Sequence, residues 1–504
     1  MSSEAENNKR ITKNTLVLYV RLFFSMLVAL YTSRVILNVL GIEDYGIYNV
    51  VCGVVIMFSC LNDAMTGATQ RFITFELGKK DQVQLNKVYS TSIQTHWLIG
   101  IVFVFLVELF GLWFLYNKME IPLEKMKVAT FIFHVSLLST FLQILNVPCR
   151  SLIIAHERMI AFSSISVLDI VLKLLIVLLL QHSGFDKLKT YSLLMLFVST
   201  TICVVNYGYC RFMFRQIRFH FYFHKTLFRD MLSFASLSFI GNLSAMAFTQ
   251  GLNLMLNVFF GPIVNAARGI AVQVQGAVGS FGGSFQTALN PQITKSYAEG
   301  NNIYLYKLII ASSKYTFLLL YLIAFPVLVE TNTILTWWLK TYPPHTVQFI
   351  RITMFVTILM AMANPITTAV HATGRIKTYQ LAVGGMHLLI LPLSYMVLKI
   401  GYGPESVFIV NLLVVLITLF ARMKILSGLI GMSLIYYSKE VLLPVFYVLF
   451  LSILGIKIIG TTLSLSPLLM LFVSFLFLLL LIFVIGINRK EQNYIYEKIK
   501  CYIK

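Results

Sequence analysis

The chain has 504 residues, of which 58% are hydrophobic and 12% charged, with a formal net charge of +20. Its mean hydropathy of +0.81 excludes an ordinary aqueous globular fold, which has no core large enough for so much apolar surface. A net positive charge of this size would suit nucleic acid, but its distribution along the chain assigns it to membrane topology instead.

Runs of about 20 apolar residues predict an all-α polytopic membrane protein of about fourteen transmembrane helices. They begin near Thr15, Tyr45, Ile93, Val128, Ala161, Tyr191, Phe234, Val264, Tyr315, Phe349, Gln380, Val407, Val441 and Pro467. The first run is long and is followed by no small-residue cleavage site, so it reads as a span and not a signal peptide. No connection is long enough for a separate soluble domain.

Basic residues gather in alternate connections. Lys9, Arg10 and Lys13 precede the first span, and Arg71, Lys79, Lys80 and Lys87 follow the second. Arg211, Arg215, Arg218, Lys225 and Arg229 fall between the sixth and seventh, Arg422, Lys424 and Lys439 between the twelfth and thirteenth, and Arg489, Lys490, Lys498, Lys500 and Lys504 at the tail. The intervening connections are poor in Lys and Arg, so the positive-inside rule predicts cytoplasmic N- and C-termini. The six cysteines form no CxxC pair, which indicates neither a disulfide framework nor a metal site.

The chain repeats itself. NVPCRSLIIAHER, with Pro148, Ala155 and Arg158, closes the fourth span; NPITTAVHATGR, with Pro365, Ala372 and Arg375, closes the tenth. The shift is 217 residues in each case. Asn38 and Asn257 match at a nearby shift. Six spans separate the partners, so the copies share one orientation, which predicts two six-helix lobes with a substrate site between them near mid-bilayer. The expected division is 1–215 for the first lobe, 216–232 for a cytoplasmic amphipathic linker, 233–425 for the second lobe, and 426–504 for helices thirteen and fourteen with a basic cytoplasmic tail. Duplication of this kind suits a transporter better than an enzyme.

Polar residues form stripes in the paired helices. Asn242, Thr249, Gln250, Asn253 and Asn257 lie near one face of the seventh span, and Arg268, Gln275, Gly279, Gly282 and Gln286 on one face of the eighth. Ser59, Asp63, Thr66 and Gln70 in the second span map onto the eighth-span stripe, and Arg34 maps onto Asn253. Such stripes are either helix-packing seams or the lining of a polar cavity. An Arg has less use in a seam, and a charge in hydrocarbon costs about 2.5–3.5 kcal/mol even on the mildest scale. Arg34 and Arg268 either line a central cavity or snorkel to the interface. Arg21 lies about 140° from Arg34 on an ideal helix, so the first span cannot aim both inward.

Asp169 and Lys173 stand at i and i+4, a self-neutralising pair unless Lys173 meets substrate. Asp63 and Glu108 are candidates for protonation during coupling or are simply partners of cations. His134 and His387 read as hydrogen-bonded core histidines. The glycines of the eighth span permit bending or close packing. The segment RQIRFHFYFHKTLFRDMLSF alternates basic and aromatic residues, which suits an element lying on an anionic leaflet.

TSRVILNVLGIEDYGIYNVV (Thr32 to Val51), ATQRFITFELGKKD (Ala68 to Asp81) and GPIVNAARGIAVQVQGAVGSFGGSFQTALNPQITKSYAEGN (Gly261 to Asn301) resemble segments of the Wzx-type polysaccharide flippases. These belong to the superfamily that includes the MATE drug exporters. The resemblance spans nearly the whole chain and implies a non-enzymatic flippase of a bacterial inner membrane. Its implied task is moving undecaprenyl-diphosphate-linked oligosaccharide (an O-antigen, capsule or exopolysaccharide unit) from the cytoplasmic to the periplasmic leaflet. It implies no cofactor beyond a coupling H+ or Na+. Its implied partners are the lipid-linked glycan, membrane lipids and polysaccharide polymerase machinery, with no nucleic acid. Arg34 and Arg268 would then meet the diphosphate or an acidic sugar, Arg21 would capture the cargo at the cytoplasmic mouth, and Lys173 would be a further substrate contact, with Asn253, Asn257 and Gln275 facing the sugars. Two other readings share the topology: a MATE-type cation-coupled drug exporter, which calls for an acid-lined cavity, and a membrane polysaccharide polymerase or ligase, which calls for a catalytic periplasmic loop.

Overall fold

The computed structural model describes residues 7, 10–28, 31–32, 35, 39–40, 48, 51, 59–117, 123–181, 186–221, 224–462, 466–489 and 491–492. The described residues contain no strand, and 12 helices are long and apolar enough to cross a membrane. In chain order the helices are α1 (Arg10–Val28), α2 (Ser59–Lys79), α3 (Gln82–Asn117), α4 (Leu123–Ala155), α5 (Met159–Leu180), α6 (Lys187–Met213), α7 (Lys225–Gly261) and α8 (262–298). They continue with α9 (Asn302–Val329), α10 (Thr331–Leu339), α11 (Thr346–Thr373), α12 (Lys377–Lys399), α13 (Glu405–Ile430), α14 (Leu434–Thr462) and α15 (Pro467–Gly486). Of the about fourteen expected spans, the second, beginning near Tyr45, lies largely outside the described residues, and the eighth is α8, whose polar stripe dilutes its apolar character.

Helix bounds follow local signals. Asp186 caps α6, its carboxylate accepting from the N–H groups of Leu188 (3.1 Å) and Lys189 (3.2 Å), and Asn301 caps α9 through the Tyr304 N–H at 3.2 Å; each satisfies an otherwise orphan donor. Between α7 and α8 the helical dihedrals break at Gly261 alone, with φ 79° and ψ −176°, a region open only to glycine. Arg268 then donates to the carbonyl of Thr249, 19 residues earlier. Along a straight helix those residues would lie about 28 Å apart, so α8 folds back along α7.

The chain divides into two compact units, Met1–Asn242 with Thr294–Gly300, and Leu243–Ile293 with Asn301–Lys504. In the first, α4 is central and packs on α2, α3, α5 and α6. Its core gathers Phe103, Val107, Ile132, Phe133, Leu137, Ile176, Val177 and Leu188, all nearly inaccessible. In the second, α11 packs on α9 and α13, and α12 on α13. The order and partners reproduce α3 to α6, as the repeat requires, and Pro148 and Pro365 sit inside corresponding helices.

The terminal pair α14 and α15 packs on α9, with the Tyr321 hydroxyl 2.7 Å from Ser452 Oγ. Lys314 of α9, 2% exposed, is held there by Glu491, its Nζ lying 3.0 and 2.8 Å from the two carboxylate oxygens. Burial alone would push the Glu491 carboxyl up, but hydrogen bonds from Lys314, the Asn488 N–H and Tyr315, with the ammonium charge, hold it below the usual carboxylate range.

Some cations expected in connections lie in helices instead. Arg71 is in α2, Arg211 in α6, Arg229 in α7 and Arg422 in α13. Each of these helices outlasts its apolar core, which is where a hydropathy reading stops.

Candidate functional site

Arg268 is 4% exposed. Its Nη2 donates to the Thr249 carbonyl at 2.8 Å, while its Nη1 is buried with no hydrogen-bond partner. One turn earlier on α8, Asn265 Oδ1 is likewise buried and unpartnered. A donor and an acceptor three residues apart lie near one helix face, and an unmet buried polar group costs about 1–3 kcal/mol. On α7, Asn253 donates to Gln250 at 3.1 Å; Asn257 is exposed and Gln275 of α8 half-buried.

The rest of the eighth-span stripe has another use. Gln286 Nε2 donates to the Ala361 carbonyl at 2.9 Å, its oxygen accepts from Asn364, and Thr368 donates to Asn290 at 3.0 Å. These bonds zip α8 to α11. Gly282 adjoins the same seam, since a Cβ there would stand 3.6 Å from Ala361 Cβ of α11 and 2.9 Å from Leu320 Cδ1 of α9, whereas one at Gly269, Gly276 or Gly283 would meet nothing within 4 Å. The stripe is thus part packing seam and part unmet polar surface.

Arg422 is 6% exposed. Its Nη1 donates to Thr367 at 3.2 Å and its guanidinium lies 5.9 Å from the Tyr379 ring centre, while its Nε is buried and unpartnered. In the first unit, Arg21 Nη1 reaches Ser166 Oγ at 3.4 Å, with its Nε also buried and unpartnered. Arg21 and Arg150 each hold a guanidinium 5.1 Å from the Phe162 ring centre. Phe162 and Tyr379 stand 217 residues apart, so the repeat places an aromatic ring against a cation in both units although the cations come from non-equivalent helices.

The other sequence-derived candidates separate. Lys173 Nζ is 2.7 Å from Asp169 Oδ2 within α5. Glu108 pairs across α3 and α4 with His134, Oε1 to Nε2 at 2.8 Å, and both are partly exposed. His387 is buried. Arg34 and the side chain of Asp63 lie outside the described residues. Among the described residues no three His, Cys, Asp or Glu side chains form a metal site.

Two clusters of the first unit were not evident in the sequence. Arg71 is boxed by Phe72, Phe75 and Phe234, at 4.7, 4.9 and 5.7 Å. Glu157 has a wholly inaccessible side chain, with Arg10 Nε at 2.7 Å and Lys295 Nζ at 2.5 Å. The aromatic residues one and four positions from Arg71, and the glycine aligned with Glu157 in the repeat, were the available signals.

No protein-family model matches the sequence, and no curated protein sequence matches it. Solved structures match the fold. A multidrug resistance MATE family transporter of the MOP superfamily, in an outward-facing conformation, aligns with a TM-score of 0.70 at 16% identity, over 84% of this chain and 96% of its own. A MATE structure in complex with MaL6 aligns at 0.69 and 15% identity, over 84% and 98%. A MOP superfamily transporter from Pyrococcus furiosus, described by a reverse polarity of its binding pocket that suggests a different function, aligns at 0.67 and 16%, over 84% and 97%. The chain has the fold of the MATE and MOP superfamily transporters. It is a multi-pass, all-helical membrane protein of that architecture.

Proposed function

We propose that this protein is a flippase for polyprenyl-diphosphate-linked oligosaccharide, moving it from the cytoplasmic to the periplasmic leaflet of a bacterial inner membrane with both termini cytoplasmic. The observation that carries the reading is Arg268, whose Nη1 donor is buried in a polar stretch of α8 and left unmet. A guanidinium offers forked donors to phosphate oxygens, and a diphosphate leaving water needs that compensation. The adjoining unmet Asn265 oxygen and the amides of Asn253, Asn257 and Gln275 suit sugar hydroxyls, which both donate and accept. Arg21, with its unmet Nε, suits capture of the cargo at the cytoplasmic mouth. Arg34 and Lys173 stay in the proposal as further cations, Lys173 on condition that it exchanges Asp169 for the cargo.

A drug exporter of this fold is the second reading, favoured by the MATE neighbours. One neighbour is described by a pocket of reverse polarity, so the fold alone does not fix the sign of the cargo's charge. Two intramembrane acids, Glu108 and Asp169, are each engaged by a neighbour, His134 and Lys173, which leaves them less able to receive a cationic drug. Glu108 with His134, and Asp63, remain the proposed groups for H+ or Na+ coupling.

Deleting the gene and locating lipid-linked oligosaccharide tests the reading. Intact units should accumulate facing the cytoplasm. Single units accumulating on the periplasmic side would indicate a polymerase, and unchanged glycan lipid with raised drug sensitivity would indicate an exporter; either outcome would overturn the flippase.

A further inference from the structure

A groove in the first unit holds a cation, Lys87, and two histidines that the proposed transport site does not use. Val83, Asn86, Lys87, Ser90, His220 and His224 line it, and its volume is about 510 Å³. It exists because the segment following α6 runs back along the first turns of α3. The Arg218 N–H donates to Asn86 Oδ1 at 3.2 Å, the His220 N–H donates to Ser90 Oγ at 3.1 Å, and the Ser90 hydroxyl donates to the Arg218 carbonyl at 3.4 Å. These bonds fix the segment's backbone, so the groove is a built feature of the surface.

The charge in the groove is uncompensated. Among the described residues Lys87, which is half-buried, meets no carboxylate, and neither does the His220 side chain. The nearest acid along α3, Asp81, is occupied in capping, its Oδ1 accepting from the Gln84 N–H at 2.9 Å. In the same segment Arg218, whose backbone bonds to Asn86 and Ser90, has an exposed side chain. Phe219 and Phe221 are exposed as well, Phe221 by 91%, an arrangement that water alone does not favour.

The position along α3 selects the ligand. This helix has 36 residues, about 54 Å, well beyond the roughly 30 Å of hydrocarbon it has to cross. Its apolar stretch begins at Trp97, half-exposed as befits an interfacial tryptophan, so the turns bearing Lys87 and Ser90 stand on the headgroup side. We infer that this groove binds the headgroup of an anionic phospholipid of the surrounding bilayer. The phosphodiester lies against Lys87 and His220, and the glycerol and first acyl carbons lie along Val83 and the exposed phenylalanines. Free phosphate would have no use for those apolar walls.

Native mass spectrometry of the full chain, released from micelles containing phosphatidylglycerol or phosphatidylcholine, reads the site. Wild type should retain one phosphatidylglycerol in preference to phosphatidylcholine. The double variant Lys87→Gln with His220→Gln should retain it about tenfold less, while Lys399→Gln, which removes an exposed cation at the end of α12, should match wild type. Equal retention by wild type and the double variant overturns the inference, as does an equal loss in Lys399→Gln. Displacement of the lipid by millimolar inorganic phosphate also overturns it, since that assigns the groove to a free anion. A thermal melt of each variant separates loss of lipid from loss of fold.

Discussion

Glu157 and Gly374 occupy the same place in the two copies of the repeat, 217 residues apart, and both have left-handed backbones, with φ 58° and 76°. Each ends its helix just before an arginine. Glycine adopts that conformation freely, whereas another residue is strained there by about 1–2 kcal/mol. The strain at Glu157 is offset by its carboxylate, which holds Arg10 and Lys295 while its carbonyl accepts from Asn14 at 3.3 Å. One side chain thus ties together α1, the α4–α5 turn and the end of α8.

Glu157→Gly should therefore lower the thermal midpoint of the purified protein even though it relieves strain. Glu157→Gln should cost about 1–3 kcal/mol, a buried-pair value discounted for the half-exposed Arg10. Gly374→Ala should cost about 1 kcal/mol from the backbone alone. A higher midpoint for Glu157→Gly would mean that the ion pairs do not account for the glutamate.

Gly261 and Gly283 should respond oppositely to alanine. At Gly261 the dihedrals exclude a side chain, and Gly261→Ala should destabilise by about 1–3 kcal/mol. Gly283 is helical with open space around a new Cβ, so Gly283→Ala should stabilise by about 0.5–1 kcal/mol. Differential scanning fluorimetry of the two variants side by side decides it.

Thermal stability should fall as the pH drops. His156, in the turn between α4 and α5 and 4.2 Å from the Phe214 ring, has its pKa pushed down to about 4, chiefly by burial, with Lys295 and Arg158 adding to the effect. An unfolded histidine titrates near 6.5. The folded chain thus takes up its proton later than the unfolded one, and the stability held above pH 6.5 is lost between about pH 6.5 and 4. His156→Phe should flatten that part of the midpoint-against-pH curve. Unchanged curvature would place the effect elsewhere.

Arg268→Ala should reduce glycan export at least tenfold while the protein stays inserted, the loss expected for one charge-assisted hydrogen bond to an anion. Arg268→Lys keeps the charge but not the fork and should fall between Ala and wild type. Export by Arg268→Ala at the wild-type rate, measured by surface glycan labelling, would remove the central residue of the flippase reading.

Helix order, the duplication and the polar stripes were legible in the sequence because periodicity and repetition survive without coordinates. The fate of each stripe residue was not. Gln286 and Asn290 look like Arg268 on a helical wheel, yet they close on α11 because it happens to present the Ala361 carbonyl and the Thr368 hydroxyl. Arg422 reads as a connection charge because the apolar run ends before α13 does. Glu157 reads as an ordinary helix-end acid until its partners, distant in sequence, are placed around it.

The clasp of Lys314 by Glu491 has a consequence for biogenesis. The ammonium enters the membrane with α9, but its carboxylate partner is translated 177 residues later. Until α14 and α15 have been inserted, Lys314 lacks that partner, and an unpaired charge is not stable in hydrocarbon. The second unit should therefore remain loosely packed until Glu491 has been translated. A chain cut short after α13 should be caught by membrane quality control and not persist as a smaller folded protein.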